Sequence, residues 1–247
     1  WPSVVSAANT CDVTVTDPSG SVRRYWCDGV LFSTTVHREN IRALLSSFNG
    51  RISYTNGLFK VRAGQYITPD VSIGENEIVG DVVVSAGHTP ETRFNTVRGT
   101  YTSSEELWKP TNFRQVQSST YITRDNGETI HKDIALPMTS NEYLAQRLAF
   151  IQLHTGNLSD SVEVTTNWKG LQTAVGESIQ LTISDLNFSN KVFRVEGWSL
   201  ARERGITLTL REDSSASWND PSSPGDYSVI SPEGCAAILW RSADHKE

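Results

Sequence analysis

Apolar and polar residues alternate with a period of two over much of this chain, and in two places the period lengthens to that of a helix. Asp12-Val13-Thr14-Val15-Thr16-Asp17 alternates, Pro18-Ser19-Gly20 supplies turn chemistry, and 22–30 reads as a return strand. Ile41, Leu44, Leu45 and Phe48 then fall at i, i+3, i+4 and i+7, one apolar face of a helix. Thr34 or Thr35 can cap its start, and Asn49-Gly50 offers a left-handed stop. Next, Arg51-Ile52-Ser53-Tyr54-Thr55 and Leu58-Phe59-Lys60-Val61-Arg62 flank Asn56-Gly57. Asn-Gly between two β-prone runs predicts a tight hairpin, because both turn positions need positive φ.

Residues 64–92 are rich in Gly, Pro, Ser and Asp, with short apolar runs at Ile78-Val79 and Val82-Val83-Val84, so a domain junction is expected near them. Residues 94–102 alternate as a strand. Residues 103–119 are polar, hold Trp108, Pro110 and Phe113, and read as a long loop of the kind that serves an interface or a site. The second helix is marked more strongly. Thr139 and Glu142 have capping-box spacing, Leu144, Leu148 and Ile151 form a stripe with Ala145 and Ala149 beside it, Tyr143, Phe150 and His154 widen the covered face, and Gly156 is a stop signal. Four strand candidates follow at 161–166, 177–183, 191–200 and 205–211, punctuated by Gly170, Gly176, Asn187 and Gly205. Such spacing suggests an antiparallel barrel or sandwich.

The expected class is therefore α+β and β-rich. Residues 1–75 form a small subdomain of hairpin, helix and small sheet. Residues 76–213 form an antiparallel β-barrel-like or sandwich-like domain carrying one long amphipathic helix, 140–156. Residues 214–247 are a linker and C-terminal extension, the stretch 212–226 being solvated.

With 247 residues the chain suits one large domain or two small ones, and folded as one unit it buries roughly 70–75% of its unfolded surface. A net charge of −6 argues against a dedicated nucleic-acid surface. The adjacent basic pair Arg23-Arg24 sits beside Tyr25 and Trp26 and looks like a strand edge. Cys11, Cys27 and Cys235 lack the spacing of a zinc or CxxC site, and their odd number fits reduced thiols; a Cys11–Cys27 bridge across the first hairpin is the alternative. No window holds about 18 apolar residues, so no membrane insertion is expected. Trp1-Pro2-Ser3 has neither the charged nor the apolar region of a signal peptide and no initiator Met, so the chain is expected to be an internal piece of a longer one.

The search for chemistry returns little. GxGxxG, the phosphate-binding GxxxxGK[ST], HExxH and GxSxG are all missing, and the 17 glycines are scattered as turn residues. His37, His88, His131, His154 and His245 never adopt the spacing that preorganises a metal site, and read as surface or interface imidazoles. No cofactor is expected. The acidic pairs Glu105-Glu106 and Glu212-Asp213 read as solvated, since neighbours on a strand face opposite ways while a glycosidase needs two carboxylates across a cleft. Among the tryptophans, Trp26 and Trp198 sit inside strand patterns and read as core. Trp108, Trp168 and Trp218 fall in loop-like stretches and are the candidate contact residues for a partner surface or a glycan; the alternative is that each caps the core from a loop. Asn157-Leu158-Ser159 and Asn187-Phe188-Ser189 match the glycosylation pattern at a level chance explains.

Eight stretches stand out when taken in order: Trp26-Cys27-Asp28-Gly29-Val30, Leu44-Leu45-Ser46-Ser47-Phe48-Asn49-Gly50-Arg51-Ile52, Tyr54-Thr55-Asn56-Gly57, Val61-Arg62-Ala63-Gly64-Gln65-Tyr66, Asn95-Thr96-Val97-Arg98-Gly99-Thr100-Tyr101, Lys132-Asp133-Ile134-Ala135-Leu136-Pro137, Lys191-Val192-Phe193-Arg194-Val195 and Leu208-Thr209-Leu210-Arg211-Glu212. The ordered series resembles the phage tail protein family of tail-tip proteins, the J-type host-specificity or central tail-hub proteins of long-tailed bacteriophages and prophages. The likeness covers about residues 25–213. It implies a structural, non-catalytic hub segment, generally trimeric in the full-length protein, at the tip of the virion tail. It implies neighbours among the distal tail protein, the tape-measure protein and the fibres, and synthesis in the bacterial host cytoplasm. No catalytic residues attach to these motifs. The rival readings from the residues are a carbohydrate-binding module for host glycans and a cell-wall hydrolase domain.

Overall fold

A computed structural model describes residues 2–18, 20–55, 57–85, 92–158, 160–201 and 205–218. The elements in chain order are α1 (Pro2–Cys11), β1 (Thr14–Asp17), β2 (Gly20–Arg23), α2 (His37–Ser46), β3 (Arg51–Thr55), β4 (Leu58–Arg62), β5 (Val71–Ile73), β6 (Ile78–Ser85), β7 (Thr96–Ser103), β8 (Lys109–Gln117), α3 (Ser119–Arg124), β9 (His131–Leu136), α4 (Glu142–Asn157), β10 (Ser161–Thr166), β11 (Ser178–Ile183), β12 (Phe188–Ala201) and β13 (Gly205–Glu212). The fold is β-rich α+β.

The larger sheet has six strands in the order β5-β11-β12-β13-β10-β6. Its inward positions repeat every second residue. Val162 and Val164, Ile179 and Leu181, and Ile206, Leu208 and Leu210 are all buried in one core with Ile73, Phe193 and Val195. Each such aliphatic side chain contributes about 1.5–3 kcal/mol by leaving water. Register shifts at Val164/Thr166, Leu181/Ile183 and Val195/Gly197 insert bulges that bend the strands and curl the sheet into a half-barrel. Two pairings differ from the expected antiparallel pattern: β5 runs parallel to β11, and β9 parallel to β7.

The expected junction at residue 75 falls between β5 and β6, which occupy the two edges of this one sheet. The chain leaves the sheet after β6 and returns to it at β10. Between those points it builds a second layer, the three-stranded sheet β8-β7-β9 with α4 packed on it. Leu144, Leu148 and Ile151 of α4 share a core with Val97, Phe113, Val116 and Tyr25. The helical stripe is as expected; its cap is not. Asn141 accepts the N–H groups of Tyr143 (2.8 Å) and Leu144 (3.2 Å). Thr139 Oγ1 is buried without a partner, and Glu142 turns to accept the main-chain N–H of Arg114 on β8 at 3.2 Å. The helix is thus started by a neighbouring residue and tied to the sheet by the residue expected to cap it.

Other expectations need correction. Gly156 is the penultimate residue of α4, close to the expected stop, and a Cβ there would overlap the Phe94 ring, so it also permits a close approach. The loop expected over 103–119 is largely β8, and Pro110 fits because β8 is an edge strand whose missing N–H faces no ladder partner. The return strand of the first hairpin ends at Arg23; the N–H groups of Arg24 and Tyr25 still reach Val13 O and Cys11 O, and beyond them Asp28 N–H is tied to Met138 O. The first helix is capped by neither Thr34 nor Thr35; Val36 precedes it without a side-chain cap. Its stop is as read: Asn49 has φ +47 and Gly50 N–H closes on Leu45 O at 2.8 Å. Helices α1 and α3 carried no legible signal. The β3–β4 hairpin pairs Ile52 with Val61 and Tyr54 with Phe59, as its sequence dictates, although Asn56 of its turn is outside the described residues.

Candidate contact surfaces

The three candidate tryptophans part company in the fold. Trp108 ends the tight turn between β7 and β8 and is 57% exposed. Leu107 before it is also exposed, and both have left-handed backbones, φ +58 and +59. Two bulky non-glycine residues in that region hold strain, commonly about 1–3 kcal/mol each. Trp168 begins a 3₁₀ turn after β10 and is 72% exposed. Trp218 is a correction: it is 5% exposed and sits in the core beneath α4, its indole N–H donated to Asp213 Oδ1 at 2.6 Å. Of the two tryptophans read as core, both are only partly buried, Trp26 against the α4 core and Trp198 against the large sheet. Trp1 and Trp240 lie outside the described residues.

A pair of exposed aromatic residues that the loop search missed lies on the β3–β4 hairpin. Tyr54 and Phe59 stack on one face of the β3–β4 hairpin with ring centroids 4.9 Å apart, and are 65% and 70% exposed. Leu58 and Ile52 on the same hairpin are exposed as well, as are Val30, Leu31 and Phe32 on the segment before α2. Alternation in a two-stranded hairpin always leaves one apolar face; whether something covers it is decided by packing. Isolated exposed apolar residues are ordinary, but a clustered set marks an interaction site.

A charged cluster lies between this hairpin and β12. Arg194 Nη1 is 3.4 Å from Asp213 Oδ2, with both side chains buried. Arg62 reaches Glu177 at 3.3 Å, and Arg51 stands 3.9 Å from Glu196. Arg51 has its pKa lowered to about 10, first by burial and then by the like charge of Arg194, against the pull of Glu196 and Asp213. Expected to be solvated, Asp213 is instead the buried counter-charge. Glu212 is likewise paired, 3.1 Å from Lys191 Nζ, which also contacts Asp160. Arg147 is fully buried on α4 and donates to Arg24 O at 2.8 Å. It stands at i+3 from Leu144, inside the apolar stripe, which is the signal that would have marked it.

Little here resembles a reactive centre. Among the described residues no group of three or more His, Cys, Asp or Glu converges to hold a metal ion. Cys11 and Cys27 are free thiols, not bridged, with Cys11 pushed up by burial and by Asp12; Cys235 lies outside the described residues. His154 is half-buried, 3.1 Å from the Tyr121 hydroxyl and packed on Phe150, while His88 and His245 are not described. Asn157 is engaged by Phe94 O and Leu153 O. No helix among the described residues is long and apolar enough to cross a membrane.

The family profile described as "Putative phage tail protein" matches residues 37–198. A second profile, acetyl co-enzyme A carboxylase carboxyltransferase-like, matches residues 224–247, a stretch shorter than a self-standing domain and outside the described residues. The chain is 24% identical over 174 residues to the baseplate hub protein pb3 of Escherichia phage T5, covering 70% of this chain and 18% of that protein. It therefore spans less than a fifth of that relative. A chain in the virion of a native gene transfer agent particle superposes with a TM-score of 0.65 at 10% identity, over 79% of this chain and 43% of that one. The 43 kDa tail protein of prophage MuSo2 from Shewanella oneidensis gives 0.50 at 10% identity, over 82% and 57%. At such identities the two structures show a shared fold.

Proposed function

We propose a structural, non-catalytic role in a tail hub, and the premise is plain: this chain belongs to the "Putative phage tail protein" family. In this reading it is a segment of a central hub at the tail tip of a virion, working in tail assembly and host attachment. It is made in the bacterial host cytoplasm and joins sister subunits, as a trimer in the full-length protein, and the neighbouring distal tail, tape-measure and fibre proteins. The observation that carries it is the uncovered face of the β3–β4 hairpin, with Tyr54 and Phe59 stacked and exposed. Aromatic anchors of this type supply much of the affinity of protein interfaces. Leu107 and Trp108, held at a strained turn tip, and Trp168 are the further contact residues. The division of the chain at residues 75 and 213 is best redrawn with β5 inside the hub domain, since it shares the six-stranded sheet.

The test is assembly. Phe59→Asp in the full-length protein should leave its thermal stability nearly unchanged, because the ring is exposed, yet leave tails without a complete tip in electron micrographs. Normal tails carrying that variant would overturn the assignment of the hairpin, and a monomeric hub in a mature tail would overturn the trimer. The exposure of Trp108 and Trp168 also favours a second reading, a glycan contact. A glycan array probed with the chain and with Trp168→Ala decides it, binding lost in the variant being the supporting result. The hydrolase reading has no comparable support: Glu212 and Asp213 are occupied by Lys191 and Arg194, and Glu106 by Thr111 on an exposed turn.

A further inference from the structure

Between the β3–β4 hairpin and β12 lies a cavity of about 250 Å³, walled by Arg51, Arg62 and Arg194 with Gly176, Glu196 and Trp218. That is room for several water molecules, each taking about 30 Å³. Each guanidinium has one acid among the described residues, and two of those acids are already in use. Asp213 Oδ1 accepts Trp218 Nε1 at 2.6 Å and the Ser214 N–H at 2.9 Å, and Glu177 Oε2 accepts the Ala174 N–H at 3.0 Å. The Nε of Arg62 and the Nε of Arg194 are both buried and without a partner. Arg194 itself is 7% exposed. Buried donors are almost always satisfied, so two in one cavity wall indicate an acceptor that is not among the described residues. Gly176, at φ +87, leaves space that a Cβ would take from the Arg62 guanidinium, 3.2 Å from its Nε. The arginine is thereby seated against the cavity wall.

The remaining lining combines polar Asn49, Ser53 and Gln65 with an apolar wall of Ile52, Ile67 and Val175. A free inorganic anion would leave that wall in contact with nothing, whereas a carboxylate on a methylene stem meets both halves. Guanidinium forks also match the planar carboxylate in geometry.

We propose that this pocket binds the carboxylate of an acidic side chain presented by a neighbouring polypeptide. That the carrier is a polypeptide rests on the assembly reading above; the preference for a stemmed carboxylate rests on the pocket alone. The crowding of Arg51 by Arg194 agrees, since an added anion would relieve it.

The test uses the whole chain and the arginine Nε–H resonances seen by NMR, at fixed ionic strength. The probe is N-acetyl-glutamate amide, with N-acetyl-glutamine amide as the neutral control and inorganic phosphate as the free-anion arm. The expected result is a saturable shift of the Arg62 and Arg194 signals with the glutamate probe, none with glutamine, and weaker binding of phosphate. Arg51→Gln, a half-exposed position, should keep the melting temperature and weaken the glutamate probe about tenfold. Equal binding of the glutamine probe, unchanged affinity in Arg51→Gln, or no saturation by roughly 50 mM would overturn the pocket. Phosphate binding as tightly as the glutamate probe would overturn the polypeptide carrier. Because this readout needs no assembled tail, its failure and a failure of the hub reading are told apart.

Discussion

Arg194 and Asp213 face each other at 3.4 Å with almost no access to water, and this pair joins the half-barrel sheet to the segment that carries Trp218. Removing one charge would leave the other buried and unpaired, which costs about 3–5 kcal/mol. Asp213→Asn should therefore lower stability by about that amount in urea unfolding. The double variant Arg194→Met, Asp213→Asn should recover most of the loss. Strict additivity of the two single losses would show that the charges are not coupled.

Gly156→Ala tests the close approach inside α4. Helix propensity alone predicts a gain of about 1 kcal/mol. The Phe94 ring occupies the space, and overpacking there should instead cost about 1–3 kcal/mol. Trimming the neighbour with Phe94→Leu should reverse the sign of the effect, read as a shift in melting temperature. A stabilising single variant would mean that the helix end can move away from Phe94.

Acid should weaken the link between β6 and the 3₁₀ turn at Trp168. Glu77 accepts the Gly74 N–H at 2.7 Å and the Lys169 ammonium at 3.2 Å, and these hold its pKa below the ordinary 4.5. A depressed folded pKa means its stabilisation is complete above the ordinary value and is lost as pH falls through the folded one. Glu77→Gln should flatten the fall of the urea midpoint as the pH drops below the ordinary 4.5 and leave the rest of the profile parallel. A profile of unchanged slope would remove Glu77 from the acid response.

The turn at Leu107 and Trp108 should behave as strain kept for contact. Asn tolerates the left-handed backbone far better than Trp, so Trp108→Asn should raise stability by about 0.5–1 kcal/mol. If the turn is an anchor, the same variant should assemble less well, so that stability and assembly move in opposite directions. A destabilised variant would show that the Trp108 ring supports the fold.

The sequence by itself determined what depends on neighbours a few residues away. The period of two placed β10 to β13 and the hairpin β3–β4, and the stripe Leu144-Leu148-Ile151 placed α4, because side-chain direction follows backbone repeat. Tertiary structure decided the rest. Whether an apolar face is covered depends on elements far away in sequence, which is why Tyr54 and Phe59 stand exposed while Trp218, in a stretch that reads as linker, is buried. The curl of the half-barrel comes from where strands slip past one another. The arginine pocket draws Arg51, Arg62 and Arg194 from three strands; nothing local marks them, because long-range packing alone brings their charges together.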